Sequence, residues 1–128
     1  MIRVLTVDDS TSMRQMIKFT LQNARFDVFE ASDGVQACEW AKQNEPADVV
    51  LADINMPNMD GLTLLKELRK LSGYQKTPVL MLTTDSSRDR KQLGRETGAT
   101  GWIVKPFNPD QLVQTIQKVL SRSEENKP

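Results

Sequence analysis

Histidine is absent from this 128-residue sequence, which removes several kinds of catalytic and metal-binding site. Without an imidazole the chain cannot form a Ser-His-Asp or Cys-His catalytic group, a histidine-ligated zinc site or a phosphohistidine. Any chemistry must therefore use carboxylates, hydroxyls and amines. Cysteine is nearly absent too: Cys38 is the only one, so an internal disulfide is impossible. Its place within a helical pattern predicts ordinary core packing.

The sequence also lacks net charge and long apolar runs. Its 17 basic and 17 acidic side chains cancel, so no overall field favours nucleic acid or an anionic membrane as a partner. No apolar run approaches the roughly 18 residues needed to cross a bilayer, and the first residues do not follow the pattern of a signal peptide. We therefore expect a cytoplasmic protein of one domain that binds neither nucleic acid nor membranes.

Short β-branched or aliphatic runs alternate along the chain with stretches of helical spacing. The runs are residues 4–7, 27–31, 49–52, 79–82 and 102–104. Between them apolar residues recur at steps of three and four, as from Met13 to Ala24 and from Leu62 to Leu71, and Asn108-Pro109 is typical of a helix N-terminus. Because parallel neighbours need crossovers, the alternation predicts an α/β fold with a parallel sheet covered on both faces.

Two segments fit this pattern less well. Residues 85–97 should form a helix by position, but Leu93 is their only large apolar residue, and Gly94 costs about 1 kcal/mol relative to alanine. Residues 122–128 are polar and unpatterned, which predicts a domain over residues 1–121 and a short frayed tail. No output domain is expected after it.

Unusual polar residues lie at the ends of four predicted strands. Asp8 and Asp9 follow the first, Asp53 the third, Thr83 the fourth and Lys105 the fifth. Taken singly, each has an ordinary explanation: a helix cap, a turn residue, a strand residue or a solvated charge. Because ligands of parallel sheets bind beyond the carboxyl ends of the strands, one shared site is the better interpretation.

The residue types in this shared site point to phosphoryl transfer. Three carboxylates at one place repel one another, a cost that proteins tolerate where a divalent cation binds. Oxygen-only ligands suit Mg²⁺, which shares its coordination shell with phosphate groups. A carboxylate nucleophile beside an ammonium and a hydroxyl completes a set able to accept and stabilise a phosphoryl group.

Four motifs in order make the sequence resemble the receiver domains of response regulators, above all the chemotaxis regulators of the CheY type. They are Val-Asp-Asp-Ser at 7–10, Asp-Ile-Asn-Met-Pro-Asn-Met-Asp-Gly at 53–61, Leu-Thr-Thr at 82–84 and Lys-Pro-Phe at 105–107. The resemblance covers residues 2–121. It implies a doubly wound (βα)5, flavodoxin-like fold whose five-stranded parallel sheet has the order 2-1-3-4-5.

The same resemblance implies a role for each residue that would handle the phosphoryl group. Asp53 would accept it, Thr83 would bind and report it, and Lys105 would form an ion pair with it. The peptide bond between Lys105 and Pro106 would be cis, which costs little before proline. Any catalysis would then be limited to the protein's own phosphorylation and dephosphorylation, so we expect a signalling protein and not an enzyme.

A set of magnesium ligands is implied in the same way. Asp9 and Asp53 would bind Mg²⁺ directly, Asn55 would add its backbone carbonyl, and Asp8 would act mainly through water. Asn55 together with Asp85 also resembles pairings that admit water to the phosphoaspartate, so a short-lived phosphoryl group is expected.

The surface expected to bind partners departs from the family at two positions. Trp102 stands where the family has a Tyr or Phe that swings inward on activation, and Lys91 stands where chemotaxis regulators have an apolar residue. Trp102 could instead be a half-exposed sheet aromatic. Lys91 and Arg95 could belong to a solvated charged face, or they could mark an altered partner.

Three functions remain open on these residues. The first is a monomeric chemotaxis regulator, phosphorylated by a CheA-like histidine kinase, that acts on the flagellar motor switch and is reset by a phosphatase. The second is a relay or phosphate sink that does not bind the motor, which the charged residues at 85–97 favour. The third is a hydrolase of the haloacid dehalogenase type, whose Asp-any-Asp motif on the first strand differs from the adjacent Asp8-Asp9.

Overall fold

The computed structural model describes residues 1–84 and 98–125. The elements in this part of the chain are β1 (Arg3–Val7), α1 (Thr11–Asn23), β2 (Asp27–Ala31), α2 (Gly34–Gln43), β3 (Val49–Asp53), α3 (Gly61–Arg69), β4 (Val79–Thr83), β5 (Gly101–Val104) and α4 (Pro109–Glu125). All four strand pairings are parallel, and the sheet order is β2-β1-β3-β4-β5. The predicted doubly wound fold is confirmed.

Apolar side chains on both faces of the sheet divide the core into two layers. The layer beneath α2 and α3 includes Ala37, Cys38, Leu64, Leu65 and Leu68. The layer beneath α1 and α4 includes Ile17, Leu21, Leu112, Ile116 and Val119. Each large side chain buried in this way contributes about 1.5–3 kcal/mol to folding. Cys38 is buried on α2 among these residues, so its predicted packing role is confirmed.

Polar side chains cap the N-termini of the helices that follow the strands. Ser10, Asp33 and Asp60 each accept a hydrogen bond from a backbone N–H in the first turn of α1, α2 and α3. Asn108 accepts one from Asp110 ahead of α4, as its place before Pro109 predicts. These caps satisfy donors that have no partner within the helix.

Several element bounds differ from the prediction. Asp53 and Thr83 lie at strand ends as predicted, and each is the last residue of its strand, one position past the apolar run. Helix α3 buries Leu64, Leu65 and Leu68 and ends at Arg69, so Leu71 lies beyond it. The leucine spacing alone was compatible with more than one buried face, and packing against the sheet selects between them.

The C-terminal helix is longer than predicted. Helix α4 continues to Glu125, into the segment that was expected to be frayed from Arg122 onward. A polar helix end can continue in this way because each further residue adds a hydrogen bond to a helix that is already nucleated. The weak helix expected at 85–97, with Lys91 and Arg95, lies outside the described residues. None of the described helices has the length and apolarity that crossing a bilayer requires.

Candidate functional site

The carboxyl ends of β1 and β3 lie side by side in the centre of the sheet. After β1 the chain crosses to β2 on one side, and after β3 it crosses to β4 on the other side. The connections after β1 and β3 therefore diverge and leave a crevice between the ends of these two strands. Asp8 follows β1 directly, and Asp53 is the last residue of β3. The sheet order therefore brings together two carboxylates that are far apart in the sequence.

Three carboxylates meet at this crevice, as the sequence predicted. One oxygen each from Asp8, Asp9 and Asp53 lies within 4.8 Å of the others. Asp8 and Asp53 are buried, at 1% and 9% exposure, whereas Asp9 is exposed at the rim. We call these three residues the acidic cluster.

Lys105 supplies the positive charge opposite the acidic cluster. Its Nζ lies 3.1 Å from Asp53 Oδ2 and 3.3 Å from Asp8 Oδ2. Lys105 follows β5, where its backbone N–H donates to the carbonyl of Thr83 at 2.8 Å. The bond from Lys105 to Pro106 is cis, as expected. One ammonium thus bridges carboxylates from two strands.

Burial and pairing act in opposite directions on the pKa values of this ion pair. Burial raises the pKa of Asp53, and the ammonium of Lys105 offsets only part of that effect. Burial also disfavours the charge on Lys105, but the hydrogen bond that Lys105 donates to Asp53 and the field of Asp8 outweigh it and raise the pKa of the lysine. Lys105 therefore stays protonated. Among the described residues, its ammonium lies opposite the three carboxyl groups of the acidic cluster.

The donor atoms that remain in the acidic cluster fit a hard divalent cation. Asp8 uses Oδ1 to accept from the N–H of Ser10 at 2.9 Å and uses Oδ2 for Lys105. Asp9 makes no hydrogen bond or ion pair with any described residue. All the available ligands are oxygens, and several charges are uncompensated, which together suit Mg²⁺. This arrangement is compatible with the expectation that Asp9 binds Mg²⁺ directly and Asp8 acts mainly through water.

The remaining predicted site residues lie at different distances from the acidic cluster. Thr83 is buried at the end of β4, next to the backbone of Lys105. Asn55 is exposed two residues after Asp53, and its N–H donates to Asp53 Oδ1 at 3.3 Å. Trp102 on β5 pairs with Met81 on β4. Its side chain is partly buried and packs against the core layer beneath α2 and α3. Its indole N–H is buried and has no hydrogen-bond partner among the described residues.

Two residues beside the site, Arg14 and Asp33, were missed by sequence reasoning. The guanidinium of Arg14 donates to the backbone carbonyl of Asp8 and pairs with Glu30 on β2. Asp33 caps α2 and also accepts a hydrogen bond from Asn58. An Asp directly before Gly34 and a helical pattern could have identified the cap. The contact of Arg14 and the second bond of Asp33 cross between elements and leave no local pattern.

Comparison with known proteins places this geometry in a family. Residues 4–117 match the family model of the response regulator receiver domain. Chemotaxis protein CheY1 of Helicobacter pylori is 37% identical over 124 residues, which cover 96% of this chain and 100% of that protein. The chemotaxis protein CheY homolog of Campylobacter jejuni is 38% identical over 120 residues, 93% of this chain and 92% of that protein.

Solved structures give the same result. The structure of chemotaxis protein CheY4 from Vibrio cholerae superposes with a TM-score of 0.90 at 50% identity, covering 93% of this chain and 98% of that one. A CheY-like receiver domain from Methanospirillum hungatei superposes with a TM-score of 0.91 at 28% identity and covers 99% of both chains.

Proposed function

This chain belongs to the response regulator receiver family and is a CheY-like signalling protein, and from that premise we propose that it is switched by a phosphoryl group on Asp53. The observation that carries the proposal is the contact of 3.1 Å between Lys105 Nζ and Asp53 Oδ2, within the acidic cluster. The ammonium of Lys105 is partly exposed, so it can contact the oxygens of an incoming anionic group at Asp53.

Phosphorylation of Asp53 is a group transfer between two nucleophiles. A carboxylate oxygen of Asp53 forms a bond to phosphorus while the bond from phosphorus to the donor breaks, and the donor atom leaves with the electron pair. Hydrolysis reverses the modification: a water oxygen bonds to phosphorus, Asp53 leaves as the carboxylate, and inorganic phosphate is released. The protein thus changes only its own modification state, in keeping with a signalling role.

Lys105 and Thr83 are the proposed phosphoryl-binding side chains. Lys105 Nζ lies within hydrogen-bonding distance of Asp53 Oδ2, so its ammonium would form an ion pair with the oxygens of a phosphoryl group on Asp53. Thr83 ends β4, one residue beyond Leu82, which pairs with Asp53, and its hydroxyl would bind the same group. A change in the position of Thr83 would then transmit the modification to β5, where Trp102 lies.

The acidic cluster is the proposed magnesium site. Asp9 and Asp53 would hold the ion directly, the backbone carbonyl of Asn55 would add a ligand, and Asp8 would act through water. Bound Mg²⁺ supplies positive charge that neutralises the phosphoryl oxygens during transfer.

Mass spectrometry after incubation with acetyl phosphate and Mg²⁺ tests the proposal. The protein should gain the mass of one phosphoryl group, and Asp53→Asn should abolish the gain. Asp60→Asn, on the neighbouring loop, is the matched control and should be modified like the wild type. Modification of Asp53→Asn at the wild-type level would overturn the assignment.

A histidine kinase is the proposed phosphoryl donor, and a chemotaxis target such as the flagellar motor switch is the proposed partner. The chemotaxis relatives favour this target, and an exposed Val104 beside the partly buried Trp102 offers an apolar contact on β5. A relay or phosphate sink is the second candidate, because Lys91 replaces an apolar residue of chemotaxis regulators.

An NMR titration with a flagellar-switch N-terminal peptide separates the two candidates. The protein would first be activated with beryllofluoride, and the change in Trp102 fluorescence would verify activation. Binding that depends on activation would establish a motor regulator. An activated protein that does not bind the peptide would favour the relay or sink.

A further inference from the structure

Asp33 uses both carboxylate oxygens, and each bonds to a different element. Oδ1 accepts from the N–H of Gln36 at 2.9 Å and so caps α2. Oδ2 accepts from the side-chain amide of Asn58 at 2.9 Å, across 25 positions of sequence. These hydrogen bonds lower the pKa of Asp33, as expected when they favour the ionised form. The capping of α2 needs only the hydrogen bond from Gln36, so it does not account for the hydrogen bond from Asn58.

Asn58 has an unusual backbone conformation within the β3–α3 loop, residues 54–60. Its φ is 68°, in the left-handed region, which asparagine tolerates better than most residues other than glycine. It follows Pro57, whose ring restricts φ, and Met59 donates to the carbonyl of Pro57 at 2.7 Å. The loop thus makes a tight turn, with the side-chain amide of Asn58 directed at the carboxylate of Asp33.

A second contact lies beside this hydrogen bond. Gly34 opens α2, and a Cβ added there would lie 2.8 Å from the side chain of Met59. The side chain of Met59 therefore covers the first turn of α2 in the space that glycine leaves open. Two successive loop residues, Asn58 and Met59, touch two successive residues of the α2 start, and together they hold the loop against that helix.

The β3–α3 loop also determines the surroundings of Asp53. It begins directly after that residue, and the N–H of Asn55 donates to Asp53 Oδ1. Its other end is closed by the N–H of Gly61, which donates to the carbonyl of Ile54 at 2.8 Å. With both ends joined, the position of Asn58 constrains the orientation of Asn55 and the carboxylate of Asp53.

We propose that Asp33 and Asn58 are a positioning pair that holds the β3–α3 loop in its metal-binding conformation. The inference rests on the proposed magnesium site and deepens it. Neither Asp33 nor Asn58 is a proposed ligand of Mg²⁺. Their hydrogen bond acts through the loop, as residues behind the direct ligands commonly do, where substitution lowers metal affinity about 10–100-fold.

Two substitutions remove the hydrogen bond while they preserve local structure. Asp33→Ser keeps an N-cap oxygen for α2 but loses the second acceptor. Asn58→Gly keeps the left-handed backbone but loses the amide donor. Calorimetric titration with Mg²⁺ should show about tenfold weaker binding in each. The double variant should bind no more weakly than the weaker single variant, because both remove one shared interaction.

Asp60→Ser is the matched control. It makes the same chemical change at another N-cap, on the same loop, and removes the same charge, but Asp60 accepts from the N–H of Thr63, whereas Asn58 donates to Asp33. Its Mg²⁺ affinity should stay within about twofold of the wild type. Amide NMR shifts of Asn55 in the metal-free proteins give a second readout, which should move in Asp33→Ser and Asn58→Gly but not in Asp60→Ser.

The outcomes separate this inference from the function on which it rests. Wild-type Mg²⁺ affinity in both single variants would overturn the positioning role and leave the magnesium site intact. Equal weakening in Asp60→Ser, or independent losses that add in the double variant, would also overturn it. A wild-type protein that does not bind Mg²⁺ would overturn the proposed site itself and this inference with it.

Discussion

Several buried polar side chains in the described part of this protein are satisfied by hydrogen bonds to other elements. Tyr74 is fully buried, and its hydroxyl accepts a hydrogen bond from the N–H of Ala47 at 3.0 Å. Arg69 donates to the carbonyls of Tyr74, Thr77 and Gly98, each at 2.7 Å. Since an unpaired buried group costs more than a hydrogen bond gains, these residues should be sensitive to small changes.

Tyr74→Phe should lower the free energy of unfolding by about 1–3 kcal/mol, because it leaves the buried N–H of Ala47 without its acceptor. Urea unfolding measures the loss. Ala47 precedes β3, at the end of the sheet opposite Asp53, so phosphorylation by acetyl phosphate should be unchanged. An unaltered unfolding free energy would show that water replaces the hydroxyl.

The stabilisation by Asp33 should depend on pH. Hydrogen bonds from Gln36 and Asn58 lower the pKa of Asp33 in the fold. The carboxylate therefore stabilises the protein above the unfolded pKa of about 4. That stabilisation is lost as the pH falls through the lower, folded pKa. Urea unfolding from about pH 6 to about pH 2 should show the gap between wild type and Asp33→Ser narrowing with acid. A gap that does not depend on pH would contradict this origin.

The junction of β3 and α3 shows how closely two elements can approach. Helix α3 begins at Gly61, whose N–H bonds to Ile54 immediately after the strand. A Cβ at Gly61 would overlap the backbone oxygen of Asp53 and lie 2.9 Å from the Cα of Ile54. The helix can start against the strand end only because this residue has no side chain.

Gly61→Ala should therefore destabilise the protein by about 1–3 kcal/mol, as overpacking against backbone usually does. It should also slow phosphorylation, since the displaced atom belongs to Asp53. Gly101→Ala is the comparison: its nearest obstacle is the tip of Leu80 at 3.2 Å, which can move aside. Thermal unfolding and acetyl phosphate kinetics measure both variants. An equal or smaller effect in Gly61→Ala would contradict the close approach.

The molecule as a whole is electrically neutral but unevenly charged. Its 17 acidic and 17 basic residues balance, yet within the described part of the chain the acidic cluster places three carboxylates against the ammonium of Lys105. The fold brings these charges together, whereas the unfolded chain separates them. A cation that binds the cluster should therefore stabilise the folded state selectively.

Mg²⁺ at ten times its dissociation constant should raise the free energy of unfolding by about 1.4 kcal/mol. Thermal unfolding with and without MgCl₂ measures the shift, with NaCl at equal ionic strength as the control for screening. Asp9→Asn should reduce the shift, because it removes an exposed carboxylate of the cluster. An identical shift with NaCl would contradict site-specific binding.

Most of the architecture could be predicted because it is encoded locally. The alternation of apolar runs with helical spacing indicates a parallel sheet, and the ends of those runs place Asp8, Asp9, Asp53, Thr83 and Lys105 at one edge of it. Strand ends could be placed only to within a residue, and the end of α4 was placed too early, because a helix end depends on packing and propagation as well as composition.

The order of the elements was thus sufficient to identify the α/β class. The resemblance of the four motifs to receiver domains supplied the strand order, the residue proposed to take the phosphoryl group and the ligands proposed for its metal. Two contacts required the folded molecule: Tyr74 with Ala47, 27 positions apart, and Asn58 with Asp33, 25 apart. Periodicity and capping reflect neighbours within a few residues. Partners so distant in sequence meet only through the way helices pack on the sheet, and no local pattern records that packing.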